Sequence, residues 1–202
     1  MNIVREVLKP TRAIQDELRR VLLTPAQAIS LELRGAVEAA VLVPLYVEDG
    51  ELGAVFTRRR RDLRRHAGEI SFPGGRRDRS DADLLATALR EAHEEIGLRS
   101  DAAEVIGALQ PTPTIATNYA VYPFVALISR PANWAPSAAE VDEVIELPLV
   151  RLRAGYARRR LTPRGIAIRT DTYLVDEHLI WGATARILAD LLDRLGPLAS
   201  ED

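Results

Sequence analysis

Three glutamates near the middle of the chain are the residues whose type and spacing could do chemistry. Glu91, Glu94 and Glu95 fall at positions i, i+3 and i+4, so a helix would place their carboxylates on one face. Apolar residues that recur every three or four positions predict that helix over residues 81–96. Carboxylate oxygens are ligands that Mg²⁺ and Mn²⁺ prefer, so the pattern fits a divalent metal site.

The position of these acids makes the cluster costly in the absence of a cation. With Ser80 or Asp81 as the N-cap and Gly97 as the stop, the last two glutamates lie in the final turn of the helix. Each acid costs about 0.3–1 kcal/mol there, because the helix dipole is negative at that end. A bound cation would reverse that cost. The structural alternative is a solvated acidic face that Arg90 partly neutralises.

A glycine pair precedes the predicted helix. Gly74 and Gly75 follow Phe72-Pro73 and are free to adopt positive φ, which predicts a tight loop that brings backbone carbonyl groups towards the glutamates. The carbonyl oxygen of Gly75 is therefore a candidate metal ligand beside the carboxylates. Glu69 is a candidate for a further ligand or a base, with a surface role as the alternative.

Strands and helices that could position these residues are predicted from the apolar patterns. The predicted strands cover residues 36–47, 52–57, 104–109, 119–127 and 173–175. The first two form a hairpin across a Glu-Asp-Gly turn. Helices are predicted over residues 11–22 and 182–195, near the two ends of a single domain of residues 1–202.

Composition narrows the classes of function. A formal net charge of −2 gives no reason to expect binding to nucleic acid or to an anionic membrane. The chain has no cysteine, which rules out disulfides and thiolate chemistry. No apolar run reaches the roughly 18 residues of a membrane span, and no signal-peptide core precedes the domain. We therefore expect a cytoplasmic protein without a membrane partner.

The glutamate helix and the glycine before it resemble the Nudix box. That motif is a glycine, a spacer and then Arg-Glu-apolar-x-Glu-Glu-x-Gly-apolar. The matching residues are Gly75, Arg90, Glu91, Ala92, Glu94, Glu95, Gly97 and Leu98. The spacer differs from the usual pattern, because its acid is Asp81 and it is followed by eight residues before the arginine.

The resemblance implies a fold, a metal site and a reaction. The Nudix fold is an α+β architecture, an α/β/α sandwich with a mixed central sheet between helices and a loop–helix–loop metal site. By resemblance, Glu91, Glu94, Glu95 and the Gly75 carbonyl hold Mg²⁺ or Mn²⁺, with Glu94 catalytic and Arg90 orienting the glutamates. The implied reaction is hydrolysis of a nucleoside diphosphate derivative. A homodimer is expected by analogy.

A second motif lies upstream of the box. Thr57-x-Arg59-Arg60, then Arg64, Gly68 and Phe-Pro-Gly-Gly, is similar to the signature of the coenzyme A pyrophosphatases, a Nudix subgroup. The resemblance implies that coenzyme A or an acyl derivative is cut to 3′,5′-ADP and 4′-phosphopantetheine. Arg59 and Arg64 then become candidates for binding substrate phosphates, with Gly74 and Gly75 close by. A solvated face and a nonspecific RNA-binding patch are the alternatives for this arginine run.

Two residues downstream of the box are candidates through the same resemblance. Tyr119 begins a Tyr-x-Val-x-Pro-Phe-Val pattern like one near the active site of the subgroup, which makes it a candidate substrate contact. Glu143 lies in a late segment from which some relatives supply the acid that activates water, and a solvent-facing strand position is its alternative.

Two rival functions share these features. One is a Nudix enzyme for ADP-ribose, NADH or a dinucleotide, which would keep the metal ligands and change the specificity pocket. The other is a Nudix module that senses nucleotides or RNA without turnover. The complete glutamate set disfavours the second rival, because a sensor has no need of a costly acid cluster.

Overall fold

The computed structural model describes residues 12–31, 33, 37–62, 68–114, 118–131, 133–165 and 167–196. Within those ranges the α-helices are α1 (Arg12–Val21), α2 (Pro25–Ser30), α3 (Leu84–Ile96), α4 (Leu149–Ala154) and α5 (Gly182–Leu195). The α1 and α5 bounds confirm the predicted terminal helices, with residue 11 outside the described ranges. None of the helices described is long and apolar enough to cross a membrane.

The strands form a large mixed sheet and a small antiparallel one. In chain order they are β1 (Val37–Glu48), β2 (Glu51–Arg59), β3 (Ile70–Ser71), β4 (Gly74–Arg76), β5 (Ala103–Ala108), β6 (Thr112–Pro113), β7 (Tyr119–Ile128), β8 (Val141–Pro148), β9 (Tyr156–Leu161), β10 (Ile168–Val175) and β11 (His178–Trp181). Strands β1 to β8 make the large sheet, and β9 to β11 make the small one.

The first strand is the centre of the large sheet. It pairs parallel with β7 and antiparallel with β2 and β4. The predicted hairpin of β1 and β2 is confirmed, as are the strands at β5 and β7. Because the sheet mixes parallel and antiparallel pairs and has helices on both sides, the predicted α+β class is confirmed.

Buried side chains on the two faces of the sheet form two apolar cores. Successive residues of β1 point to opposite faces, so Leu42 packs in one core and Val43 in the other. Residues of α3, including Ala88 and Ala92, fill the first core. Residues of α5, such as Leu188, fill the second. The glutamate helix therefore lies on one face of the sheet with its apolar side inward.

The start of α3 differs from the prediction. The helix begins at Leu84 rather than residue 81, and its N-cap is Asp83, whose carboxylate accepts a 2.7 Å hydrogen bond from the Ala86 N–H. Ser80 and Asp81 therefore lie before the helix. The predicted end is correct, because Gly97 adopts the left-handed conformation with φ 71°.

Other elements were assigned incorrectly or were not predicted, among them strands β3, β4, β6, β8, β9 and β11. Residues 173–175 are the end of the longer strand β10 and do not form the last strand, because β11 follows and pairs with it. Helix α2 was not predicted at all. It begins with a capping box in which Thr24 accepts from the Gln27 N–H at 3.2 Å and Gln27 accepts from the Thr24 N–H at 2.8 Å.

Candidate active site

The last two turns of α3 present the three predicted glutamates in different environments. Glu94 is the most exposed, with 56% of its side chain accessible, while Glu91 is largely covered. Glu95 is buried, and its carboxylate accepts a 3.2 Å hydrogen bond from the Gly74 N–H. The pKa of Glu95 is raised to about 8, chiefly by burial and also by the charges of Glu91 and Glu140, while the hydrogen bond from Gly74 acts to lower it.

Gly74 and Gly75 do not form the predicted tight loop. They belong to strand β4 and pair with Val41 and Ala40 of β1. Only Gly74 has a positive φ of the two, at 158°. The two glycines are instead needed for close approach, since a Cβ on Gly74 would enter the β1 backbone and a Cβ on Gly75 would lie 2.5 Å from Glu91 Cδ. The Gly75 backbone thus lies directly against the Glu91 carboxylate.

Gly75→Ala is expected to lower kcat/KM by about 10- to 100-fold, because the new methyl group displaces the Glu91 carboxylate. Steady-state kinetics measures that loss. A double-mutant cycle on the free energy of unfolding is the matched test. Gly75→Ala should lower that free energy by less in a Glu91→Ala background than in the wild type. Equal costs in both backgrounds would show that the two residues do not clash.

Arg90 links the acids of the site through its guanidinium group. Its Nη1 lies 2.9 Å from both Glu91 Oε1 and Glu94 Oε2. Its Nε and Nη2 donate to the two carboxylate oxygens of Asp81 at 2.8 and 3.0 Å. These bonds raise the pKa of Arg90 and hold the pKa of Asp81 well below its usual range. Arg90 is therefore placed to orient the glutamates.

Asp81 was predicted only as a possible N-cap and as the acid of the motif spacer, without a role in the site. Its side chain is 4% exposed and also accepts hydrogen bonds from Thr87 Oγ1 and the Asp78 N–H, both at 2.9 Å. It therefore connects the spacer loop before α3 to Arg90. Its position in the motif spacer was the one sequence feature that could have indicated this role.

Glu140 is a fourth acid of the site and was also missed. Its segment packs on the end of α3, where the Ser137 N–H donates to the Glu95 carbonyl at 2.9 Å. The charge of Glu140 raises the pKa of both Glu91 and Glu95, secondary to the effect of burial. Nothing in the sequence distinguishes Glu140 from the three later acids of the segment, Asp142, Glu143 and Glu146.

Two further candidates from the sequence are Arg59, the last residue of β2, and Glu69, which directly precedes β3. The Arg59 guanidinium contacts Glu140 at 3.3 Å. The Arg59 N–H donates to the Glu69 carbonyl at 3.0 Å, which places the Glu69 backbone beside Arg59. The upstream motif and the acid cluster are thus joined through Arg59 and Glu140.

Of the other predicted site residues, Glu143 and Tyr119 have contacts of their own, and Arg64 lies outside the described ranges. Glu143 is bonded to Arg58 Nε at 2.8 Å, and Arg58 in turn contacts His178 Nδ1 at 2.7 Å. The Tyr119 side chain packs against the apolar core on the α5 side of the sheet. Arg64 lies in residues 63–67, which are outside the described part of the chain.

The carboxylate oxygens of this cluster are of the type that hard divalent cations bind. Among the described residues, no three acidic or histidine side chains converge on one point as metal ligands. The reason is visible in the contacts, since Glu94 is turned to Arg90 and Glu95 to the Gly74 N–H. Burial raises the pKa of both Glu91 and Glu95, and the charge of Glu140 adds to the rise in each case. Carboxylate oxygens are the ligands of Mg²⁺ and Mn²⁺.

An open cleft lies beside the glutamates, with a volume of about 770 Å³. Its lining residues are Arg76, Arg77, Asp78, Arg79, Ser80, Arg90, Glu91 and Glu94. It is therefore wide enough for a nucleotide-sized ligand and combines acidic with cationic walls.

Comparison with known proteins agrees with this geometry. Residues 37–164 match the family described as NUDIX domain. The chain is 40% identical over 161 residues to the Nudix hydrolase NudL of Salmonella paratyphi B and, equally, of Salmonella newport, covering 79% of this chain and 83% of the relative. A MutT/nudix family protein from Enterococcus faecalis shares the fold with a TM-score of 0.52 at 13% identity, covering 93% of this chain and 75% of the other. The glutamate helix, the glycine strand beside it and these relatives together establish that the chain belongs to the Nudix hydrolase family, whose members hydrolyse diphosphates.

Proposed function

We propose that the chain hydrolyses the diphosphate of coenzyme A or acyl-coenzyme A to 3′,5′-ADP and 4′-phosphopantetheine or its acyl form. The proposal depends on one observation, which is that the upstream arginine motif contacts the acid cluster that includes the Nudix box glutamates. Arg59, from the segment that resembles the coenzyme A pyrophosphatase signature, contacts Glu140 beside the box glutamates. A guanidinium group at that position could bind a phosphate of the substrate while the acids hold the cation.

The glutamates and the Gly75 carbonyl would hold Mg²⁺ or Mn²⁺ against the diphosphate. When bound, the ion would neutralise charge on the phosphoryl oxygens and lower the pKa of the attacking water. Arg90 keeps the Glu91 and Glu94 carboxylates oriented, and Asp81 fixes Arg90 in turn. Water adds to one phosphorus, the bridging P–O bond breaks, and the proton of the water passes to a carboxylate of the site.

Glu140 is our candidate for that carboxylate, because its charge acts on both Glu91 and Glu95. Its contact with Arg59, at 3.3 Å, is also longer than the 2.8 Å contact of Glu143 with Arg58. We expect Glu140→Gln to lower kcat by about 100-fold, and Glu143→Gln to lower it at least tenfold less. Steady-state rates of both variants and of Glu69→Gln test the assignment, with the exposed Glu177→Gln as the control. The largest loss in Glu143→Gln or Glu69→Gln would move the role of base to that residue.

Product analysis by chromatography tests the substrate. Purified protein is incubated with Mg²⁺ or Mn²⁺ and, separately, coenzyme A, dephospho-coenzyme A, ADP-ribose and NADH. Formation of 3′,5′-ADP and phosphopantetheine at a rate well above the other reactions supports the proposal. Cleavage of ADP-ribose or NADH without cleavage of coenzyme A would assign a different Nudix substrate. No cleavage with either metal would favour a sensing module. A homodimer and a cytoplasmic location stay predictions.

A further inference from the structure

The cleft beside Glu91 and Glu94 is lined by more arginines than form ion pairs with acidic side chains. Four arginines line it, which are Arg76 at the end of β4, Arg77 and Arg79 in the loop between β4 and α3, and Arg90 in α3. Two of them have acidic partners. Arg90 is bound to Asp81, and Arg77 Nη1 contacts Glu38 at 3.0 Å. The charge of these two arginines is therefore matched within the protein.

Arg76 and Arg79 differ from the other two arginines of the cleft. Both are exposed, and neither has an acidic partner within 4.0 Å in the described part of the chain. Asp78 lies between them in sequence, but its carboxylate accepts from the Ser80 N–H at 2.9 Å and from Ser80 Oγ at 2.7 Å. Arg76 and Arg79 thus line the cleft without an ion pair to an acidic side chain of the described residues.

The segment that carries these two arginines, the end of β4 and the loop after it, is held in place by hydrogen bonds. The Arg76 carbonyl accepts from Arg90 Nη2 at 3.3 Å, and the Arg77 N–H donates to the Glu38 carbonyl at 3.2 Å. The Asp78 N–H donates to Asp81 at 2.9 Å. A guanidinium group on a fixed backbone loses less conformational freedom when it binds an anion, so the loop is suited to recognition.

We propose that Arg76 and Arg79 form a subsite for a phosphomonoester of the substrate, separate from the diphosphate held at the glutamates. The inference rests on the proposed function, under which that group is the 3′-phosphate of coenzyme A. Paired guanidinium groups bind a phosphate dianion through charge-assisted hydrogen bonds. The subsite lies in the same cleft as Glu91 and Glu94, so one substrate can reach both.

Coenzyme A and dephospho-coenzyme A differ by this one phosphate, which makes them the matched pair for the test. In an Arg76→Gln/Arg79→Gln variant we expect the KM for coenzyme A to rise about tenfold. The KM for dephospho-coenzyme A should stay within about twofold. Arg20→Gln on α1 is the matched control, because Arg20 is exposed and does not line the cleft. An equal change for both substrates, or no change for either, would overturn the subsite.

A binding measurement separates this inference from the substrate assignment. Calorimetry compares 3′,5′-ADP with 5′-AMP, without turnover. We expect wild-type protein to bind 3′,5′-ADP more tightly, and the double variant to lose that difference. If the wild type binds 3′,5′-ADP more tightly and the double variant does not, but coenzyme A is not hydrolysed, the proposed function is refuted and the subsite is supported. Equal affinity of the wild type for both nucleotides would refute the subsite, whatever the enzyme hydrolyses.

Discussion

Glu95→Gln is expected to lower kcat/KM for diphosphate hydrolysis by about 10²- to 10³-fold. The substitution keeps the shape of the side chain and removes its negative charge. In the structure that charge is buried and lies close to Glu91 and Glu140. A cation held by the cluster would lose one of its carboxylate ligands, and steady-state kinetics with Mg²⁺ measures the effect.

The same substitution should leave the folded state intact without metal. A glutamine in place of Glu95 removes the cost of burying an ionisable carboxyl group beside Glu91 and Glu140, so the free energy of unfolding should equal or exceed that of the wild type. Urea denaturation checks this, and the exposed Glu51→Gln is the control for both measurements. Glu94→Gln should show a similar kinetic loss. Unchanged kcat/KM in both variants would refute the metal assignment.

Asp81→Ala is expected to destabilise the protein by about 2–3 kcal/mol, the second large effect. The substitution leaves Arg90 without its bidentate partner and the Asp78 N–H without its acceptor, and it removes one of the two acceptors of Thr87 Oγ1. Because Arg90 orients Glu91 and Glu94, kcat should fall as well. Urea denaturation at constant m-value and steady-state kinetics measure the two effects.

The pair of Arg99 and Asp101 provides the matched control for this prediction. It has the same two contacts, at 2.9 and 2.6 Å, but both side chains are largely exposed. Solvent screens such a pair, so Asp101→Ala should leave the urea midpoint unchanged. A midpoint for Asp81→Ala equal to that of Asp101→Ala would show that Asp81 is not a structural partner of Arg90.

The fold could be predicted to a large extent because its strongest signals are local. The apolar runs at β1 and β7 and the helical spacing of α3 each follow from burial on a sheet or a helix face. The Nudix family assignment rested on the spacing of charged residues and is confirmed. Helix α2 escaped prediction because its capping box precedes only six residues.

The missed parts of the site depend on contacts between residues far apart in the sequence. Asp81 reaches Arg90 because α3 starts three residues later than predicted, which leaves Asp81 in the spacer loop. Glu140 reaches the cluster because its segment docks on the carbonyl groups at the end of α3. Nothing in the local pattern distinguishes Glu140 from Glu143. The glycine pair was correctly placed, but it serves close packing rather than a turn.

Calorimetric titration with Mn²⁺ tests most directly the claim that the glutamate cluster is the metal site of this hydrolase. The titration uses purified protein without substrate, and compares the wild type with Glu95→Gln and with the Glu51→Gln control. Binding by the wild type and the control, with at least tenfold weaker binding by Glu95→Gln, is the predicted result. Equal Mn²⁺ affinity in all three proteins would contradict the account, because the metal would then be held elsewhere.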